Sequence, residues 1–152
     1  MYDSREDTKS HIGFVRHFVY VLYTSLRRKG MHHDETKLEE PEKSIFDKYT
    51  LKLATSTYGS EEYKQFLKGM KPALDHHYSN NRHHPEHFGD GIKDMNLIDL
   101  CEMICDWEAA TLRHDDGNIY KSIEINQKRF GYSDELKQIF INTVNEYFTE
   151  VK

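Results

Sequence analysis

Apolar residues along the chain recur at spacings of three and four, the period of a helix that buries one face, and no segment keeps the alternation that marks a strand. Ile12, Val15, Val19, Leu22 and Leu26 predict a long amphipathic helix over about residues 6–29, stopped at Gly30. His11 lies four residues before Val15 and so falls on the inward face, whereas His17 falls off it. A short segment carrying His33, Asp34, Lys37 and Leu38 follows. Pro41 then suits the first turn of a second helix, with Ile45, Phe46, Tyr49 and Leu53 inward.

Thr55 to Ser60 reads as a connecting loop, and Ser60 as the cap of a third helix with Tyr63, Phe66, Leu67, Met70, Leu74 and His77 inward. Gly69 and Pro72 predict a kink there, or a break into two helices. Residues 79–95 have no period and are rich in Asn, His, Pro and Gly, as in an ordered loop that carries side chains to a site. Asn96 can cap the next helix, which turns Leu97, Leu100, Met103, Ile104 and Trp107 inward and sets Asp99, Glu102, Asp106 and Arg113 on an adjacent face. After a turn at residues 115–118 come a helix through Ile123, Asn126 and Phe130 and a last one, capped by Ser133, that buries Leu136, Ile139, Phe140, Val144, Tyr147 and Val151. The pattern predicts an all-α fold of about six or seven helices in a single compact domain over residues 1–152.

Composition narrows the class. With 37% hydrophobic and 31% charged residues the chain reads as a soluble globular protein, and no run approaches the roughly 18 apolar residues that span a bilayer. The polar first ten residues do not read as a signal peptide, so a cytoplasmic location is expected. A formal net charge of -5 argues against a bulk nucleic-acid binder, which needs a concentrated basic surface. Cys101 and Cys105, one helical turn apart, read as reduced thiols packed on a helix.

Candidate chemistry lies in the histidines. Of ten, seven fall in the tight groups His32-His33, His76-His77 and His83-His84 with His87, and Asp34 and Glu86 follow two of these groups closely. Neutral imidazoles with carboxylates form the ligand set of a divalent transition metal. His33-Asp34 cannot chelate an ion alone, so ligands from other helices must complete the set, with His11 and Asp106 the natural candidates.

The order His11, His33-Asp34, Asp106 resembles the HD-domain metal-dependent phosphohydrolases, named for that dipeptide. The resemblance implies metal ligation by His11, His33, Asp34 and Asp106, and a phosphate or water contact by Lys37 in His-Asp-x-x-Lys. Two-metal members of that family add histidines in the interval that His77 and His83 or His84 occupy here. The chain is also similar, over nearly its whole length, to small phage and bacterial proteins of unassigned function. The shared segments are His-Asp-x-x-Lys from His33, Thr-Tyr-Gly-Ser from Thr57, His-His-Tyr-x-x-Asn from His76, His-His-Pro-Glu-His-Phe from His83 and Glu-Met-x-x-Asp-Trp from Glu102.

A metal held by nitrogen and oxygen ligands polarises a phosphoryl oxygen and lowers the pKa of water, which fits phosphate ester hydrolysis. Lys37, Arg82, Arg113 and Arg129 are candidates to neutralise phosphate oxygens, and Trp107, Tyr78 and Phe88 to stack a base. The expected assignment is a phosphohydrolase with one or two divalent ions (Mn, Co, Fe or Ni), acting on a small nucleotide, most simply as a 5'-nucleotidase. Metal ligands are His11, His33, Asp34, His77, His84 and Asp106; Asp34, Lys37 and Glu102 carry the chemistry, with Glu102 an alternative orienter of a ligand histidine. Pyrophosphohydrolase, cyclic-nucleotide phosphodiesterase and non-enzymatic metal or nucleotide binding are the rival functions.

Overall fold

The computed structural model describes residues 2–55, 60–113 and 117–148, apart from the side chains at 53, 54 and 63. Every regular element among them is helical, as the spacing predicts. The α-helices are α1 (Arg5–Met31), α2 (Glu42–Thr55), α3 (Glu61–Asn80), α4 (Leu97–Thr111), α5 (Ile119–Phe130) and α6 (Asp134–Tyr147). Short 3₁₀ turns at Glu35–Leu38, Pro85–His87 and Gly91–Asp94 serve the connections. None of these helices is long and apolar enough to cross a membrane. By contacts the chain divides into two units, Met1–His33 and Asp34–Lys152.

The first unit is α1. Glu6 and Asp7 lie in its first turn and Arg28 and Lys29 in its last, each sign suited to its end of the helix dipole. The helix runs through Gly30 rather than stopping there. None of its residues is buried, and the stripe expected inward is exposed: Ile12 at 42%, Val15 at 46%, Val19 at 59% and Leu22 at 49%. Phe14, Phe18, Tyr20, Val21 and Tyr23 are exposed too, so apolar side chains surround much of the helix instead of one face. Periodicity establishes that a helix has apolar positions, not that they find a partner.

In the second unit the core joins α4, α5 and α6. Met103, Ile104 and Trp107 meet Ile119 and Ile123 across to Tyr132, Phe140 and Val144. Full burial of a side chain such as Met103 or Ile123 contributes about 1.5–3 kcal/mol. Caps set the helix starts: the Asn96 side chain accepts from the N–H groups of Ile98 and Asp99 while Asp99 accepts in return, Asn118 caps α5, and Ser133 caps α6. Leu97, Ile139 and Tyr147, expected inward, are 70%, 57% and 71% exposed, because they lie at the edges of stripes whose centres alone reach the core. Val151 and the Asp115-Asp116 part of the predicted turn lie outside the described residues, as does most of the 55–60 loop with its Thr57 segment.

α2 packs on α3, where Met70 and Ala73 are buried. Of the two expectations the break is corrected: α3 is one helix that carries Pro72 inside it. Gly69 has a different use, since a Cβ there would run into the ring and hydroxyl of Tyr49 on α2. The loop after α3 is fastened to α4 by Arg82, whose Nε and terminal nitrogen donate to buried Asp99 at 3.1 and 2.8 Å.

Candidate metal centre

Four side chains from three places in the second unit turn toward one point: Asp34 before the first 3₁₀ turn, His77 near the end of α3, and His83 and His84 in the following loop. Each offers one ligand atom, and all four atoms lie within 4.8 Å of one another. Local structure explains the delivery. Asp34 holds a left-handed backbone, φ 58°, which an Asp tolerates better than most residues and which turns the chain into Glu35–Leu38. His77 ends the buried stripe of α3. His83 and Pro85, both buried, anchor the loop that presents His84.

Three of the spacings are those of a ligand shell. Atoms bonded at about 2.1 Å to one ion are about 3.0 Å apart at a right angle and about 3.4 Å at the tetrahedral angle. His77 Nε2 lies 2.9 Å from His84 Nε2 and 3.3 Å from Asp34 Oδ1, and His83 Nε2 lies 3.4 Å from the same oxygen. Tautomers follow from the far side of the rings. His83 Nδ1 meets the buried carboxylate of Glu102 at 3.2 Å and His77 Nδ1 meets that of Glu42 at 2.9 Å. Carboxylates only accept, so both Nδ1 atoms carry hydrogen, and in the neutral rings both Nε2 lone pairs aim at Asp34. A cation between them, proton or metal, turns that lone-pair repulsion into binding.

Electrostatics suit a metal. Burial opposes the charge on Asp34, but the close approach of His77 and His83, with the hydrogen bond from Lys37 and the Lys37 charge, holds its carboxyl well below the usual carboxylate range. Burial, reinforced by His83 and His77, pushes His84 down to about 3 against the opposing pull of Asp106 and Asp34. His84 is therefore neutral at physiological pH, the form in which an imidazole ligates. Lys37 Nζ sits 2.5 Å from Asp34 Oδ2, on the carboxylate oxygen turned away from the histidines.

A family model covers residues 1–148. The chain belongs to DUF5662, a family of unknown function. No curated protein and no solved structure matches the DUF5662 chain, so the roles of its residues rest on its own geometry.

That geometry sorts the expected site residues. Asp34, His77, His84 and Lys37 come together, and His83, weighed against His84 in the sequence, joins rather than replaces it. Glu102 is buried behind His83, in the orienting place. Asp106 is half-buried one turn further along α4, with a ligand atom within 4.8 Å of His83 and a charge that acts on His84. His11 and His33 belong to the first unit, His11 exposed on α1 and His33 half-buried at the unit's last position.

The other candidates lie in different settings. Arg82 is engaged by Asp99, and Trp107 is a core residue stacked on Phe130 and Tyr132. Arg113 is exposed beyond α4. Arg129 pairs with Glu86 and hydrogen-bonds Tyr78, whose ring lies 4.9 Å from that of His84. Cys101 and Cys105 are free thiols, exposed on α4. Sequence reasoning missed Glu42, fully buried in the first turn of α2, which stands among other acids in a charged segment and has no motif to mark it.

Proposed function

We propose that the protein is a cytoplasmic metal-dependent phosphohydrolase that acts on a small nucleotide, with phosphate monoester hydrolysis as its reaction. The observation that carries this reading is the shell of three imidazole nitrogens and one carboxylate oxygen at ligand spacing. When bound, a divalent ion (Mn²⁺, Co²⁺, Fe²⁺ or Ni²⁺) supplies Lewis-acid polarisation of a phosphoryl oxygen and activates water at neutral pH. His77, His83, His84 and Asp34 hold it, with Glu42 and Glu102 keeping two of the rings in the ligating tautomer. Lys37 balances Asp34 and offers its remaining N–H groups to an incoming phosphate, and Arg129 beside Tyr78 offers a second cation.

One observation favours a second reading, a metal-holding protein without catalysis. Four protein ligands close a tetrahedral ion, whereas hydrolysis needs an open position, which an octahedral ion with the same four ligands has. The visible absorption of the Co²⁺ protein separates the two, being intense for tetrahedral and weak for octahedral cobalt. The function is tested by phosphate release from a panel of nucleoside monophosphates, diphosphates and cyclic monophosphates with Mn²⁺ or Co²⁺. Inorganic phosphate from a monophosphate, lost in Asp34→Ala, supports it. No hydrolysis across the panel, or full activity in Asp34→Ala, contradicts it, and a pyrophosphate or ring-opened product reassigns the substrate.

A further inference from the structure

We propose that Glu42 is a positioning residue of the centre, a buried carboxylate that fixes the ring and tautomer of His77 and thereby sets metal affinity; this rests on the metal reading above. Glu42 is 0% exposed, and an ionised carboxylate is costly to bury unless both oxygens are satisfied. Here Oε2 accepts from His77 Nδ1 at 2.9 Å and Oε1 accepts from His76 Nδ1 at 2.7 Å. One carboxylate thus ties the start of α2 to two consecutive residues of α3. The adjacent histidines have different tasks: His77 is buried and turns Nε2 to the ligand cluster, whereas His76 is 39% exposed and holds the second oxygen so that the carboxylate cannot swing away.

Other groups around His77 Nδ1 do not replace Glu42. The Asn81 amide nitrogen, 3.0 Å away, is a donor and therefore cannot accept the ring hydrogen. It donates instead to Thr36 Oγ1 at 2.9 Å and to the His77 carbonyl at 2.8 Å. Thr36 Oγ1, at 3.2 Å from Nδ1, is a longer and neutral contact. A carboxylate also raises the basicity of the ring it accepts from, so Glu42 both aims the Nε2 lone pair and strengthens it.

The test uses the whole chain with Zn²⁺ alone as a diamagnetic probe, its affinity measured by competition with a chromophoric chelator, alongside ring ¹⁵N spectra of the zinc-loaded protein. Glu42→Gln keeps shape and one acceptor but loses the charge, and is expected to bind about tenfold more weakly; Glu42→Ala should lose about 100-fold. His76→Ala should weaken binding less than Glu42→Gln does, because the carboxylate loses the hold on its second oxygen but keeps its charge and its bond to His77. The ¹⁵N spectrum of the wild type should show His77 coordinated through Nε2 with hydrogen on Nδ1. If Glu42→Ala fails to fold, as judged by circular dichroism, the isosteric Gln variant decides. Wild-type affinity in either folded Glu42 variant, or coordination of His77 through Nδ1, overturns the role of Glu42 and leaves the metal centre standing. A wild-type protein that takes up no Zn²⁺ overturns both.

Discussion

Replacing Asp34 with Asn removes one charge and the anionic oxygen ligand while keeping the side chain's size and its tolerance of the left-handed backbone at φ 58°. For wild type, a ligand present at about 100 times its dissociation constant adds about 2.7 kcal/mol to unfolding. In a chain of 152 residues each kcal/mol moves the midpoint by about 2–4 °C, so Co²⁺ at that level should raise Tm by about 5–11 °C over an EDTA-treated sample. Loss of one of four ligands should weaken binding by at least about 100-fold, taking the upper range for loss of an outer-shell partner as the floor. The same Co²⁺ then adds only about 0.4 kcal/mol, a shift of about 1 °C. Scanning calorimetry with matched metal and EDTA samples reads both numbers. Metal-free Asp34→Asn should itself be less stable by about 1–3 kcal/mol, because Lys37 loses the charged oxygen to which it donates. An equal Co²⁺ shift in the two proteins would refute the placement of Asp34 in the shell.

Lys37→Ala should reduce turnover by about 10²–10³-fold, the cost of losing an electrostatic donor, while metal content by mass spectrometry stays at the wild-type value. Arg82→Ala should lower the urea midpoint by the equivalent of about 1–3 kcal/mol, because Asp99 loses its two-pronged guanidinium partner. Tyr132 provides a pH test: burial, aided by Glu124, pushes its hydroxyl up to about 12, and that hydroxyl donates to the Ile123 carbonyl at 2.6 Å. The raised value means that the folded state holds the proton more tightly, so this stabilisation is complete below the unfolded value of about 10 and is lost as pH rises from there toward 12. Denaturation midpoints of wild type should fall more steeply over that window than those of Tyr132→Phe; parallel curves would contradict the burial of the hydroxyl.

Helical spacing was enough to read the all-α class and the starts of α4, α5 and α6, because capping side chains and buried stripes are local features. His77 and Asp34 were legible as site candidates for a related reason, since histidine and acid clusters are rare enough to stand out by composition, and the fold brings the two together. Glu42 was not legible: its burial is created by α2 packing on α3, and nothing within its own segment distinguishes it from Glu39 or Glu40. Trp107 was readable as inward from its period, but its stacking on Phe130 and Tyr132 in the core depends on where α5 and α6 lie. Pro72 did not end α3 as one of the two readings had it, since a proline's local preference to break a helix can be outweighed where neighbours such as Met70 and Ala73 are buried. Exposure along α1 is the largest departure, because apolar spacing marks the stripe of a helix without saying what covers it.

In the proposed centre His77, His83, His84 and Asp34 hold one divalent ion through Nε2, Nε2, Nε2 and Oδ1. X-ray absorption at the metal edge of Co²⁺-loaded protein tests it most directly. The proposed centre predicts about one ion per chain, nitrogen or oxygen neighbours at about 2.0–2.2 Å, and the outer-shell scattering of three imidazole rings, falling to two in His84→Ala. A spectrum of fully aquated cobalt, or an imidazole signal unchanged by His84→Ala, would contradict it.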